Sequence, residues 1–173
     1  MALMIRQATE RLRYLDYLDN LIRNPDTIEK DVHKALEKSL WILGVEYSLM
    51  SSNITLKRVV NDYLNDKYKG DNAAKRPDLL LSCNVNRAHL LIEFKRPSHA
   101  IAYEDYQQAT LYRNELSPYL SSDIDIKIMV IGGSRNYINE SYKERNVEIL
   151  TFNEIVSNAR NELDWLLKEL QRQ

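Results

Sequence analysis

The spacing of apolar residues along this chain changes period several times, and each change marks an element. Ile5, Leu12, Leu15, Leu18 and Ile22 recur at helical spacing, which predicts a first helix over residues 5 to 22. Asn24-Pro25-Asp26 breaks it, and Asp26 or Thr27 is placed to cap a second helix running to about Leu43, stopped by Gly44. Tyr47 to Met50 reads as a short strand or loop. Helical spacing returns over 55 to 65, with Leu56, Val59, Val60 and Leu64 inward, before a polar loop from Asn65 to Lys75 that contains Gly70. Leu79 to Val85 and Ala88 to Lys95 are nearly continuous apolar runs. They read as two strands joined by a turn over Asn84 to Arg87, hence a hairpin. Ser98 to Ala102 leads into a helix from about Tyr103 to Leu116, ended near Pro118. Ile126 to Ile131 is an apolar strand stopped by Gly132-Gly133, and Ser134 to Glu144 a polar loop. Val147 to Phe152 is a last short strand. Thr151 or Asn153 then caps a final helix carrying Ile155, Leu163, Leu166, Leu167 and Leu170.

The resulting order is helices, hairpin, helix, strand, strand, helix. That order predicts an α/β fold, a mixed central β-sheet flanked by helices. At 173 residues the chain is one domain, with residues 1–26 as an N-terminal helical arm and 27–173 as the core. Cys83 is the lone cysteine, which excludes a disulfide framework and a cysteine zinc site and fits a reducing, cytoplasmic location. No apolar run approaches the ~18 residues of a membrane span, so no membrane partner is expected.

A net charge of −1 argues against indiscriminate binding to nucleic acid, but the charge is unevenly placed. Residues 57 to 96 hold nine Lys or Arg against five Asp or Glu, which leaves the remainder of the chain at −5. The positive segment also holds the most unusual residues of the chain. Asp78 opens the run Leu79-Leu80-Leu81, and Glu93 and Lys95 close the run Leu90-Leu91-Ile92. A charge at the edge of a core must be paired or hold a metal. A hairpin brings Asp78 beside Glu93, and two adjacent carboxylates repel unless a cation lies between them. Oxygen ligands make Mg2+ the first choice. Lys95 follows Glu93 by two positions, so in a strand both side chains face one way. Arg76 and Arg96 flank the acidic residues, and a guanidinium fork suits phosphate. The plain alternative for Asp78 and Lys95 is a salt bridge at the sheet end. The Gly132-Gly133-Ser134-Arg135 stretch lacks the helix and lysine of a nucleotide-binding loop.

The pattern Pro77-Asp78, a spacer, then Glu93-Phe94-Lys95 resembles the signature of the PD-(D/E)xK nuclease superfamily. Arg96-Pro97 and a downstream Gln108-x-x-x-Tyr112 extend the likeness, which covers roughly residues 27 to 131. The whole block is similar to Shedu-type antiphage nuclease domains and to the nuclease region of type I restriction subunits. The resemblance implies a restriction-endonuclease-like core with extra N-terminal helices. It also implies a metal site built from Asp78, Glu93 and the backbone carbonyl of Phe94, holding Mg2+ with Mn2+ as an alternative. Lys95 would orient or deprotonate the attacking water, or stabilise the transition state.

An upstream helix carboxylate often joins such sites, and Glu29 and Glu37 are the candidates here. Ile28, Val32, Ala35, Leu36 and Leu43 define an apolar face, and at ~100° per residue Glu29 falls on its border while Glu37 falls well away. That favours Glu29 as a catalytic residue. His33, one turn on, is a candidate for the site or a phosphate, against a structural histidine. Gln108 and Tyr112 share one helix face and would help hold metal or substrate, against simple packing by Tyr112.

The expected function is a metal-dependent DNA endonuclease domain in bacterial antiphage defence or restriction. Its partners would be DNA, a second copy of the chain to cut both strands, and other domains or subunits. The first and last helices are candidate dimer surfaces. Two alternatives remain: an inactive nucleic-acid-binding or assembly module on the same fold, and a repair or recombination nuclease, to which a near-neutral chain is less suited.

Overall fold

The two apolar runs around the hairpin become the centre of a five-stranded sheet in the computed structural model, which describes residues 2–43, 47–83, 88–138 and 144–172. Along the chain the elements are α1 (Ala2–Arg23), α2 (Glu29–Glu37), β1 (Tyr47–Ser52), α3 (Leu56–Arg58), β2 (Leu79–Cys83), β3 (Ala88–Phe94), β4 (Ala100–Ile101), α4 (Tyr103–Leu116), β5 (Asp125–Gly132), β6 (Ser134–Arg135), β7 (Val147–Thr151) and α5 (Phe152–Gln171). The main sheet runs β1-β2-β3-β5-β7. β2 is antiparallel to both β1 and β3, whereas β5 lies parallel to β3 and β7 parallel to β5. The fold is therefore α/β with a mixed sheet flanked by helices. No helix among the described residues is long and apolar enough to cross a membrane.

Both faces of the sheet are covered, which is why β2 and β3 read as continuous apolar runs rather than as alternation. On one face Leu79, Leu81, Ile92, Phe94 and Ile131 pack against Leu18 of α1, Val32 and Leu36 of α2, and Ile155 and Val156 of α5. On the other face Leu80, Leu91, Ile128 and Val130 pack against Leu56, Val59 and Val60 and against Ala109, Tyr112 and Leu116 of α4. Each such side chain contributes roughly 1.5–3 kcal/mol by leaving water. α1 and α5 direct apolar residues at each other, with Ala8 and Leu15 against Ala159 and Leu163. Those positions are not surface available to a second copy.

Several boundaries differ from the expectation. α2 ends at Glu37 rather than near Leu43, because the chain tightens into a 3-10 turn over Leu40–Leu43, with Ser39 N–H donating to the Leu36 carbonyl at 3.0 Å. Neither Asp26 nor Thr27 caps α2. Ile28 occupies the cap position, and its N–H donates to the Asp31 carboxylate at 3.3 Å, while the Thr27 hydroxyl donates to the Leu21 carbonyl at 2.7 Å. The helix expected over 55 to 65 is a short α3 followed by a π-helical turn, Val59–Tyr63, closed by Leu64 N–H to the Val59 carbonyl at 3.2 Å. Part of the loop expected after Gly133 is β6, which pairs in parallel with β4. Thr151, not Asn153, caps α5, accepting from Glu154 N–H at 3.2 Å. The stop at Gly44, the turn at Asn84 to Arg87 and the middle of the 134 to 144 loop lie outside the described residues.

Candidate active site

Strand register assembles the charged residues. Leu79 pairs with Ile92, so Asp78, just before β2, arrives across from Glu93 near the end of β3. Asp78 Oδ2 accepts the Phe94 N–H at 2.7 Å, which fastens it to that strand. Alternation along β3 turns Leu91 and Glu93 to the α4 face and Ile92 and Phe94 to the other. Lys95 follows on the Glu93 side, its own N–H donating to the Ile131 carbonyl of β5 at 2.8 Å. On α4, Gln108 and Tyr112 lie one turn apart and face them.

The side chains form one connected knot. Gln108 Nε2 donates to Glu93 Oε1 at 2.7 Å and to the Tyr112 hydroxyl at 2.8 Å. Lys95 Nζ donates to Gln108 Oε1 at 3.1 Å and to Glu93 Oε1 at 3.4 Å. Glu93 is only 4% exposed, and its second oxygen, Oε2, is buried with no hydrogen-bond partner. A buried, unpartnered carboxylate oxygen is costly, and such atoms in folded proteins call for a specific explanation.

The electrostatics express the same tension. Burial pushes the Glu93 carboxyl up to about 8, the negative charge of Asp78 adds to it, and Lys95 pulls the other way. Burial also raises Asp78, against the Phe94 N–H and His33, with Glu29 adding to the rise. Burial alone would lower Lys95, but Glu93, Asp105 and Glu29 outweigh it and hold the ammonium above its usual range. Lys95 is thus a cation at neutral pH.

The structure brings most of the expected residues together. Asp78, Glu93, Phe94, Lys95 and Gln108 meet directly. Glu29 is exposed in the first turn of α2, yet its charge acts on Asp78, Glu93 and Lys95, whereas Glu37 ends the same helix. Arg76 and Arg96 are exposed beside the acidic residues, with no ion-pair partner among the described residues. Two expectations of contact with nucleic acid do not fit. Tyr112 is 3% exposed and its hydroxyl is taken by Gln108, so it braces the site from within. His33 is buried as well, with Nε2 at 3.0 Å from Ser52 Oγ, Nδ1 at 3.6 Å from Asp78 Oδ1, and its ring on Phe94 at 5.6 Å between centroids. It supports Asp78 from the opposite face of the sheet.

Ser52, His33 and Asp78 stand in the order of a hydrolytic triad, but the geometry does not make one. The His33–Asp78 separation, 3.6 Å to Asp78 Oδ1, is beyond hydrogen-bond distance, and the other oxygen, Oδ2, is committed to the Phe94 N–H.

Sequence reasoning missed Asp105. Its Oδ1 lies 3.5 Å from Lys95 Nζ, and its Oδ2 takes the Ala102 N–H at 2.9 Å and His99 Nε2 at 2.7 Å. The available signal was spacing: Asp105, Gln108 and Tyr112 fall at i, i+3 and i+7 on one helix face.

Among the described residues, no group of three or more His, Cys, Asp or Glu side chains is arranged to hold a metal. The residues that could serve a cation are two carboxylates, Asp78 and Glu93. Their chemistry fits a hard divalent ion: oxygen donors, a shared excess of negative charge, and a buried Glu93 Oε2 with an unused lone pair. No protein-family model matches the chain, and no curated protein sequence matches it.

Proposed function

We propose that this chain is a metal-dependent endonuclease domain of the PD-(D/E)xK type, with a restriction-endonuclease-like core, hydrolysing phosphodiester bonds in DNA. One observation carries the reading: Glu93, buried against Asp78 with an unpartnered oxygen, lies in one hydrogen-bonded knot with Lys95 and Gln108. A structural salt bridge would satisfy that oxygen. A cation site leaves it open.

Asp78 and Glu93 would hold Mg2+, with Mn2+ as a substitute and the Phe94 carbonyl as a further ligand by resemblance. The ion supplies Lewis-acid polarisation of the scissile phosphate and of water. The chain's own residues do the rest. Lys95, protonated and fixed by its acceptors, places positive charge where negative charge grows on the phosphoryl oxygens. Its protonation favours an orienting and stabilising role over that of a general base. Gln108 orients Lys95 and Glu93, Tyr112 orients Gln108, and His33 supports Asp78. Exposed Arg76 and Arg96 are placed to take flanking phosphates. By the same resemblance we place the domain in antiphage defence or restriction, acting with further domains or subunits.

The test is cleavage of supercoiled and linear DNA with Mg2+, Mn2+ or chelator, comparing the wild type with Asp78→Asn and Lys95→Ala. Asp78→Asn keeps an oxygen for the Phe94 N–H and removes only the charge. Metal-dependent cleavage should disappear in both variants, and metal-dependent thermal stabilisation should disappear in Asp78→Asn. Retained cleavage in either folded variant removes the proposed site. No cleavage and no metal binding by the wild type would leave an inactive binding module on this fold.

A further inference from the structure

We propose that His99 and Asp105 form a positioning pair that holds the Lys95 ammonium against Glu93, with the Gly132-Gly133 turn fixing His99 from behind. The role assigned to Lys95 in catalysis rests on the endonuclease reading, whereas the positioning itself does not.

The pair is built so that Asp105 presents one oxygen to Lys95. Ala102 N–H and His99 Nε2 both bond to Oδ2, at 2.9 and 2.7 Å, which leaves Oδ1 facing Nζ at 3.5 Å. The Asp105 side chain is 13% exposed, and its carboxyl lies below its usual range: burial would raise it, but the Ala102 N–H, His99 and Lys95 outweigh burial. The Lys95 ammonium therefore has three neighbouring acceptors for its three protons, Glu93 Oε1, Gln108 Oε1 and Asp105 Oδ1. Glu93 and Gln108 alone leave the flexible lysine free to pivot about them. The third contact fixes its direction.

His99 is in turn held by its backbone. Its N–H donates to the Arg96 carbonyl at 2.9 Å, and its carbonyl accepts from Gly133 at 3.0 Å and Ser134 at 3.3 Å. A Cβ on Gly133 would overlap the Pro97 carbonyl oxygen, and one on Gly132 would stand 2.7 Å from Ile101 Cγ1. These two glycines let the end of β5 close onto the 97–101 segment. That accounts for a Gly-Gly pair that has no features of a phosphate cradle. Asp105 also caps α4 through the Ala102 N–H, but a cap needs only one oxygen, and here the second is turned to the half-buried Lys95.

The test uses Asp105→Asn, which retains a cap acceptor and loses the charge, with His99→Ala and His99→Gln. Two quantities are measured: kcat and KM on plasmid DNA with Mg2+, and the rate at which an amine-reactive ester acylates Lys95 in chelator, mapped by peptide mass spectrometry. Asp105→Asn should lower kcat about 10–100-fold with little change in KM, as expected for a misplaced reacting group. Lys95 should acylate several-fold faster in the same variant. His99→Ala should move both in the same direction, and His99→Gln, which keeps a donor for Asp105, should recover most of the change. If Asp105→Asn does not fold, the two His99 variants decide the matter by the same readouts. Unchanged kcat together with unchanged Lys95 acylation in folded variants would make Asp105 a helix cap and overturn the proposal. Should the wild type cut no DNA, the endonuclease reading fails, but acylation still decides the pair: faster modification supports it and an unchanged rate overturns it.

Discussion

A carboxylate as buried as Glu93, with one oxygen unpartnered, is at ease only when protonated or beside a cation. In the metal-free protein its pKa rises from an ordinary 4.5 to about 8, so between those values the folded state binds more protons than the unfolded chain. Stability must then fall as pH rises through that window, by up to ~1.4 kcal/mol per pH unit for one proton, and level off above it. Asp78 is shifted the same way and adds to the slope. Urea unfolding in chelator at pH 5 to 9 should show this decline, and Glu93→Gln should flatten much of it. Mg2+ should stabilise the protein more at pH 8 than at pH 5, because the cation competes with protons for the same oxygens. A flat wild-type profile would contradict the burial argument. Asp78, Glu93 and Lys95 were legible in the sequence because charges at the ends of apolar runs are conspicuous. Asp105 and His99 were not. An aspartate in the first turn of a helix is commonplace, and nothing local shows which way its second oxygen turns. The burial of Tyr112 and His33 depended on packing across the sheet, which no spacing rule conveys.

At the scale of elements, legibility followed length and chemistry. The β2–β3 hairpin was readable because both strands are buried on two faces. Helix α4 was readable from its ends, although its inward face mixes Ala109 and Leu116 with Asp105, Gln108 and Tyr112 and so blurs the apolar period. β4 and β6, two residues each, are too short to carry any period. α2 was read too long because Leu40 to Leu43 continue the apolar pattern while the backbone changes to 3-10 geometry. Its two glutamates differ in position along the helix rather than in burial, since Glu29 is exposed and Glu37 half-buried. Glu29 lies in the first turn and its charge acts on Asp78, Glu93 and Lys95; Glu37 sits at the other end of the helix. Glu29→Ala should therefore reduce metal-dependent cleavage by about tenfold, equivalent to ~1.4 kcal/mol of transition-state stabilisation, and Glu37→Ala should leave it near the wild-type rate. Equal losses in steady-state kinetics, or the reverse ranking, would detach α2 from the site.

For the whole molecule, the order of elements foretold a mixed sheet between helices, and the helix between β3 and β5 required those strands to lie parallel. That β7 joins parallel to β5 was not legible, because the connection between them is polar and carries no helical pattern. The distribution of charge matters most at this scale. If the proposed function holds, a chain at −1 overall would bind DNA only where its positive segment is locally unopposed, because the remainder of the chain carries −5 and would repel the duplex. Within the positive segment Arg58 is already paired with Asp62 at 3.2 Å. Arg76 and Arg96 are exposed, without an ion-pair partner among the described residues, and placed next to Asp78 and Lys95. Phosphate contacts should therefore be few and concentrated at the site. Fluorescence anisotropy of a labelled duplex, titrated in chelator at several KCl concentrations, measures this directly, since each phosphate contact contributes about −0.9 to the slope of log affinity against log salt. Arg76→Ala and Arg96→Ala should each make the slope shallower by about one, additively in the double variant, whatever the DNA sequence. Arg6→Ala, on the far helix and paired with Glu10 at 3.0 Å, should leave it unchanged. If the two site arginines leave the slope untouched while Arg6→Ala alters it, DNA approaches another face of the molecule, and the knot around Glu93 does not meet the phosphate backbone.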